Sequence, residues 1–314
     1  MMRDKLKDKM TEVSDYIFQH PELSKHEEQS SRALADFLEQ EGFTVKWELA
    51  GFRTAFVAEW GSGQPIIGFL AEYDALPGLA QEPVSRHCPK EGPGHGCGHN
   101  LLGTACAGAA VALKERMERE QISGTVRVYG CPAEEIVIGK IRMNEQGVFD
   151  ELSAAVTWHP FDRNRVSYDI WQAQDIKNYK FYGIAAHAAR FPEKGRSALD
   201  AAELMSVGVN YLREHMIDKA RIHYAYVDAG GTSPNVVQDH SLVKYEVRAP
   251  KVSQMKELFE RVVDVARGAA LMTGTTMKYE ITMAFSDYVP NDTLGKIAAE
   301  CMMEVGAPKW ETSD

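Results

Sequence analysis

The sequence predicts an α/β protein with a mostly parallel mixed sheet that is interrupted by a ferredoxin-like α+β unit. Three observations support this prediction. In the first half, short apolar runs alternate with helical segments, which is the pattern of βαβ units. Beyond about residue 172, the predicted elements change to the order β-α-β-β-α-β, which is typical of a ferredoxin-like sandwich. The length of 314 residues also fits about two domains of roughly 150 residues each.

Glycine and proline delimit the elements of the first half. A charged helix ends at His20-Pro21, because proline disfavours helical backbone in the residue before it, and a second helix ends at Gly42. A loop over 79–100, rich in Pro and Gly, precedes a long helix. The predicted helices are 3–19, 27–41 and 101–118, and the predicted strands are 43–49, 54–60, 66–71, 125–131 and 153–158.

The second half carries the inserted unit. Its predicted strands are 176–183, 222–227, 242–248 and 277–283, and its predicted helices are 196–215 and 252–272. A further helix is expected over 292–305, after Pro290. We therefore expect a first domain over 1–172, an inserted domain over 173–285, and a return to the first domain over 286–314.

Composition and charge exclude several classes of protein. The hydrophobic fraction of 44% and charged fraction of 25% are typical of a globular chain rather than a disordered or fibrous one. With a net charge of −10 and no basic stripe, neither nucleic acid nor an anionic membrane is an expected partner. We expect no secretory signal and no membrane span. Five cysteines at irregular spacing favour free thiols and a cytoplasmic location.

The glycine-rich loop before the long helix is the strongest chemical signal. It brings His95, Cys97 and His99 within five residues, and its glycines allow the backbone to fold closely around an ion. The alternative is a glycine-rich turn with a helix cap at Asn100. Metal binding is the preferred interpretation, and His95 is the weakest candidate ligand.

Further candidate residues follow the ends of predicted strands. Glu134 and Glu135 follow one strand and His159 another, while Glu72 and Asp74 follow a third. Taken alone, each of these residues could simply be a solvated side chain or one that caps a loop or helix. Ligands bind beyond the carboxyl ends of strands in open α/β sheets, so their convergence predicts a metal-dependent hydrolytic site.

These motifs together resemble the M20 metallopeptidase and amidohydrolase family. In the first domain the resemblance rests on HPEL (20–23), AEYDALPGL (71–79), GHGCGHNLLG (94–103), PAEE (132–135) and WHP (158–160). In the inserted domain it rests on AAHAA (185–189), GGTSPNVVQD (230–239) and YEVRAP (245–250). The Cys-Gly-His form resembles the amidohydrolase branch. The resemblance implies a zinc-peptidase-like catalytic domain that is interrupted by a lid and dimerisation domain.

The resemblance also implies residue roles in the catalytic domain. It implies that the metal ligands are Cys97, His99, Glu135 and His159, and that Glu134 is the general base. The family's first metal-binding motif is often His-x-Asp, whereas this chain has Glu72-Tyr73-Asp74. We therefore expect Asp74 to orient a histidine ligand rather than to bind metal.

Three lid residues match positions that the family uses around the substrate. The resemblance implies that His187 reaches a neighbouring active site and stabilises the oxyanion, and that Asn235 and Arg248 hold the substrate carboxylate. Simpler roles are a strand cap for His187 and a surface ion pair for Arg248. The lid would form a homodimer through a helix such as 196–215.

The expected function is hydrolysis of a small N-acyl or N-aroyl amino acid, such as an aminobenzoyl-glutamate-like amide, with two divalent ions, zinc or manganese. A dipeptidase or an aryl-amine hydrolase would use the same site. The family supplies a final histidine ligand late in the catalytic domain, but no histidine follows His240 here. The return over 286–314 is therefore expected to be truncated, which leaves a catalytically impaired binding or dimerisation protein as the other alternative.

Overall fold

The computed structural model describes residues 4–167 and 171–307. The chain divides into two compact units, Met1–Arg163 and Asn164–Asp314. The predicted boundary at residue 172 and the predicted return of 286–314 to the catalytic domain stay predictions. Among the described residues, no helix is long and apolar enough to cross a membrane.

The first unit is built on a five-stranded mixed sheet. Its strands are β1 (Thr44–Trp47), β2 (Phe56–Ser62), β3 (Ile66–Ala71), β4 (Gly124–Gly130) and β5 (Ala154–Val156). They are arranged in the order β1-β2-β4-β3-β5. β3 pairs in parallel with β4 and β5, whereas β2 pairs antiparallel with β1 and β4. The predicted mixed sheet is confirmed, and its parallel part is the part that ends at the candidate site.

The described part of the first unit, from residue 4 onward, contains four α-helices: α1 (Asp4–Gln19), α2 (Glu28–Gln40), α3 (His99–Glu120) and α4 (Gly139–Glu145). The buried face of α3 contributes Leu102, Cys106 and Ala110 to the core formed with β3 and β4. α3 begins two residues earlier than its predicted start, so that His99 lies in its first turn. α4 was not predicted, because its seven residues are too few to show a helical period.

Glycine at position 103 allows α3 to lie very close to the end of β3. A Cβ at Gly103 would stand 2.4 Å from the carbonyl oxygen of Glu72, which is a backbone atom with no room to retreat. The close approach places the first turn of α3, with His99, directly against the residues that follow β3.

The second unit contains a ferredoxin-like sandwich in the predicted order. The elements are β6 (Ala173–Tyr182), α5 (Ala198–Leu212), β7 (Arg221–Asp228), β8 (His240–Ala249), α6 (Val252–Thr273), β9 (Thr276–Phe285) and α7 (Asp292–Val305). The antiparallel sheet has the order β7-β8-β6-β9. Helices α5 and α6 cover one face of the sheet, where Met205, Val262 and Ala266 are buried in the core of this unit.

Gly103→Ala should destabilise the first unit, because the added methyl group forces α3 away from the Glu72 carbonyl. We expect the free energy of unfolding to fall by about 1–3 kcal/mol. The measurement is thermal or urea unfolding followed by circular dichroism. The matched control is Gly268→Ala in α6, where a Cβ meets no atom within 4 Å. There, alanine should stabilise the helix by up to about 1 kcal/mol. Equal effects at the two positions would contradict this explanation.

Candidate metal centre

The carboxyl ends of the three parallel strands meet at one edge of the first sheet. Glu72 and Asp74 follow β3, Glu134 and Glu135 follow β4, and His159 follows β5. The first turn of α3 reaches the same edge with His99, and the loop before it carries Cys97. Gly98 joins the two: its φ of +76° is left-handed, and a Cβ there would stand 2.6 Å from the Pro160 ring.

His99 is fully buried and held in one orientation. Its Nδ1 lies 3.0 Å from Asp74 Oδ1 and 3.1 Å from the Asp74 carbonyl oxygen. A carbonyl oxygen only accepts, so this network assigns the proton to Nδ1. Nε2 lies 3.1 Å from Glu72 Oε2, but the contact lacks hydrogen-bond geometry and Nε2 has no hydrogen-bond partner. Burial opposes a charge on His99, yet the hydrogen bond to Asp74 and the Glu72 carboxylate outweigh it and raise the pKa of His99.

Asp74 connects three segments of the chain through its buried carboxylate. Besides His99, it accepts hydrogen bonds from the Ser24 hydroxyl at 2.7 Å and from the Glu135 backbone N–H at 2.9 Å. Burial would raise the pKa of Asp74, but the hydrogen bonds from His99, Ser24 and Glu135 lower it below its ordinary value. Asp74 is therefore held as an acceptor for all three donors.

Cys97, His99 and His159 form a first candidate ligand group. Their ligand atoms all lie within 4.8 Å of one another, and Cys97 Sγ is 3.2 Å from His159 Nε2. Burial, followed by the charges of Glu135 and Glu134, raises the pKa of Cys97 to about 12 in the metal-free chain. A thiol and two imidazoles fit zinc, and a bound cation would reverse the effect on the thiol because it favours the thiolate.

Glu72, His99 and Glu134 form a second candidate ligand group with the same spacing limit of 4.8 Å. Both groups need Nε2 of His99, because its Nδ1 is occupied by Asp74. One nitrogen lone pair binds one ion, so the two groups overlap and do not make two independent sites. The Oε1 atom of Glu135 is also buried without a hydrogen-bond partner and lies 3.8 Å from His99 Nδ1. A buried oxygen or nitrogen atom that has a free lone pair and no hydrogen-bond partner fits a metal cation.

The loop that carries Glu134 is held by a residue that the sequence reasoning missed. Glu27 is fully buried, and its Oε1 accepts hydrogen bonds from the backbone N–H groups of Lys25 and Ala133, both at 2.8 Å. Its Oε2 accepts from the Thr54 hydroxyl at 3.0 Å. Ala133 has a φ of +57°, a strained value for a non-glycine residue. Burial raises the pKa of Glu27. In the sequence, Glu27 is the first residue of a predicted helix, and that position does not indicate a contact with Ala133.

Lys140 was also missed. It lies in the first turn of α4 and forms an ion pair with Glu72 Oε1, while the other oxygen of Glu72 faces His99. Burial opposes the charge of Lys140, but the Glu72 carboxylate outweighs it and raises the pKa of Lys140. The site thus combines four carboxylates with one fixed ammonium group.

His95 does not belong to either ligand group found among the described residues. It is buried against α1, with Nε2 3.2 Å from the Ile17 carbonyl oxygen. Burial lowers its pKa to about 4, which keeps the ring neutral at ordinary pH. This contact is a packing role, in line with its rank as the weakest candidate.

The three lid candidates lie in the second unit. His187 and Asn235 are on adjacent segments, since the Ala188 N–H donates to the Asn235 carbonyl at 2.9 Å. Both side chains are exposed. Arg248 lies near the end of β8, eight residues beyond its first residue, His240. At roughly 3.4 Å per residue, this separates Arg248 from the start of β8 by about 27 Å. Arg248 donates to Glu246. The segments that carry His187 and Asn235 lie beside the start of β8, since the Gly183 N–H donates to the Asp239 carbonyl at 2.7 Å. Within one chain, therefore, Arg248 lies far from the other two candidates.

The sequence as a whole identifies the family. Residues 68–313 match the family described as Peptidase family M20/M25/M40. The chain belongs to this family.

Two curated relatives show how far the similarity extends. The chain is 45% identical over 307 residues to one of the p-aminobenzoyl-glutamate hydrolase subunits of Escherichia coli K12, with 97% of this chain and 64% of the relative covered. It is 34% identical over 306 residues to Xaa-Arg dipeptidase of Mus musculus, with 93% and 67% covered. The chain thus spans about two thirds of the length of these relatives.

Solved structures share the fold. A putative aminohydrolase from methicillin-resistant Staphylococcus aureus aligns with a TM-score of 0.77 at 22% identity, covering 96% of this chain and 80% of that one. A dinuclear metal-binding peptidase of the M20 family from Bacillus subtilis aligns with a TM-score of 0.69 at 24% identity, covering 95% and 81%.

Asp74→Asn should destabilise the metal-free chain, because one amide oxygen cannot accept from three donors and its NH₂ group would face a donor. We expect the free energy of unfolding to fall by about 2–3 kcal/mol, measured by urea unfolding in the presence of a chelator. The matched control is Ser24→Ala, which removes one donor and should cost about 1 kcal/mol. If Asp74→Asn left the chain as stable as the parent protein, the three-donor arrangement would be contradicted.

Proposed function

We propose that this chain carries the active site of a metal-dependent hydrolase that cleaves small N-acyl or N-aroyl amino acids at the amide bond. The observation that carries the proposal is the state of His99. Its Nε2 is buried, free of hydrogen bonds and directed by Asp74 toward Cys97, His159 and the carboxylates. A buried ring nitrogen without a partner is costly unless a cation binds it. His95 Nδ1 also lacks a partner, but only the unpaired nitrogen of His99 lies among a thiol, a second imidazole and carboxylates in the ligand groups of the described residues.

The ligands that we propose are Cys97, His99, Glu135 and His159. When bound, a divalent ion would polarise the amide carbonyl and make a water more acidic. Two ions, zinc or manganese, remain the proposal. The shared Nε2 of His99 requires that a second ion be held mainly by carboxylates, because the imidazole serves one ion only. Thiolate and imidazole favour zinc, whereas carboxylates also admit manganese.

Glu134 is the proposed general base. Its carboxylate lies 3.8 Å from His99 Nε2 and is one third exposed, so a water can reach it from the open side. Burial raises the pKa of Glu134 above its ordinary value, and the nearby Glu72 charge adds to this, while Lys140 opposes it. A raised pKa suits a carboxylate that takes a proton from the attacking water and then gives it to the leaving amine.

The substrate class rests on the relatives. The hydrolase from Escherichia coli is named for p-aminobenzoyl-glutamate, and we propose that this chain acts on a similar amide with a carboxylate on the leaving side. Arg248 and Asn235 would bind that carboxylate. The name of the mouse relative, Xaa-Arg dipeptidase, makes dipeptide cleavage the second candidate.

The five cysteines are all free thiols in the structure, which supports the proposed cytoplasmic location.

We further propose a homodimer formed through the second unit. His187 and Asn235 lie toward one end of β8 and Arg248 toward the other, so a single substrate could contact all three only with residues from two copies. A different assembly is one outcome to be tested, since two similar chains from Escherichia coli are named as different subunits of p-aminobenzoyl-glutamate hydrolase.

Glu134→Gln should retain zinc and lose turnover, because Glu134 is the proposed proton-transferring group and does not belong to the ligand group of Cys97, His99 and His159 that suits zinc. We expect kcat for p-aminobenzoyl-glutamate to fall by about 100-fold or more, with zinc content by elemental analysis unchanged. The control is Glu145→Gln, which alters an exposed glutamate on α4 and should leave both quantities as they are. Unchanged turnover in Glu134→Gln would show that another group is the base.

Metal content separates the proposed enzyme from a binding protein. Purified chain should hold zinc or manganese near stoichiometric amounts, and chelation should abolish turnover. Bound metal without turnover on aroyl-glutamates or dipeptides would favour the impaired binding protein, and no metal after reconstitution at neutral pH would contradict the metal centre.

Mixing two inactive variants tests the shared site. After joint refolding, a mixture of Glu134→Gln and His187→Ala subunits should regain about a quarter of the parental activity, because about half of the dimers are heterodimers and each contains one intact site of two. Pure heterodimer should have about half of the parental activity. Mass measurement establishes that heterodimers are present. Heterodimers without any recovered activity would show that each subunit works alone.

A further inference from the structure

Lys140 is a charged group at the strand edge to which the proposed mechanism gives no role. Its ammonium contacts Glu72 Oε1, and Glu72 Oε2 lies 3.1 Å from the Nε2 atom of His99. Glu72 is nearly fully buried, whereas the Lys140 side chain keeps 31% of its exposure. One carboxylate therefore stands between a fixed cation and the imidazole that both ligand groups need.

The backbone places Lys140 there by a tight return of the chain after β4. The N–H groups of Ile138 and Gly139 both donate to the Ala133 carbonyl, at 3.3 and 3.4 Å, which closes the turn that carries Glu134 and Glu135. A Cβ at Gly139 would stand 1.7 Å from the Pro132 carbonyl oxygen, so no other residue fits. The first turn of α4 consequently lies against the end of β3, where Glu72 is.

We propose that Lys140 is a positioning residue that decides which of the two overlapping ligand groups uses His99, by occupying Glu72. The inference rests on the proposed function, since it concerns the same metal centre. While Lys140 holds Glu72, the group formed by Glu72, His99 and Glu134 already contains one positive charge. The group formed by Cys97, His99 and His159 does not include Glu72 and stays available.

The reason is electrostatic. A divalent ion bound through Glu72 would share that carboxylate with the ammonium of Lys140. Two positive charges on one carboxylate repel each other strongly where solvent is partly excluded. An ion bound by the thiolate and the two imidazoles does not compete with Lys140 for a ligand. Lys140 therefore lowers the affinity of the oxygen-rich group, which suits manganese, more than that of the sulfur and nitrogen group, which suits zinc.

Lys140→Met tests this selectivity in the metal-free full chain. We expect the affinity for Mn²⁺, measured by titration calorimetry or electron paramagnetic resonance, to rise by about ten-fold, and that for Zn²⁺ to change less than about three-fold. Lys140→Arg is the matched control, since it keeps the charge, and should bind both ions within about three-fold of the parent. Lys140→Gln carries the same expectation as Lys140→Met if the methionine variant does not fold.

A double-mutant cycle with Glu72 separates this role from a merely structural ion pair. In a Glu72→Gln background, Lys140→Met should no longer raise Mn²⁺ affinity, because the carboxylate that Lys140 occupies is gone. Unchanged Mn²⁺ affinity in folded Lys140→Met, or an equal rise in the Glu72→Gln background, would overturn the inference. If the parent chain bound neither ion, the metal centre itself would fail and the inference with it, a result distinct from failure of the variants alone.

Discussion

The buried carboxylate of Asp74 is the interaction on which the candidate metal centre depends. It receives hydrogen bonds from Ser24, from the ring of His99 and from the backbone of Glu135, which lie on three separate parts of the chain. Leaving any of these donors unpaired inside the protein would be costly, so the carboxylate holds all three in place. The direction of His99 Nε2, and hence both ligand groups, follows from this one side chain.

Close packing makes that arrangement possible. The parallel pairing of β3 with β4 and β5 brings three strand ends to one edge, and Gly103 allows α3 to approach the end of β3. Glu27 then fixes the strained backbone at Ala133, in the loop that carries Glu134. Gly103 and Glu27 belong to neither ligand group, yet they position the segments that carry His99 and Glu134.

The charges of the site are balanced only in part by the chain itself. Glu72, Asp74, Glu134 and Glu135 are crowded near two basic side chains, His99 and Lys140. Burial raises the pKa of Glu134, Glu135 and Cys97, so the charged form of each is disfavoured in the metal-free chain and Cys97, with a pKa of about 12, is a neutral thiol there. A divalent cation would balance the excess of negative charge, and in our proposal Lys140 determines which of the two ligand groups binds it. The second unit, with its own core, carries the candidate substrate residues separately.

The sequence by itself determined the order of the strands and of the helices longer than α4, the ferredoxin-like unit and the family, because apolar periodicity, glycines and contiguous motifs are local properties of the chain. It also pointed to Cys97, His99, Glu134 and His159 as neighbours, since parallel strand ends share an edge. Only the tertiary structure decided the contacts of Glu27 and Lys140, and the overlap of the two ligand groups at His99. Those depend on which buried donor meets which acceptor across about 70 to 100 residues of chain, and a carboxylate that caps a helix looks the same in sequence as one that holds a distant loop.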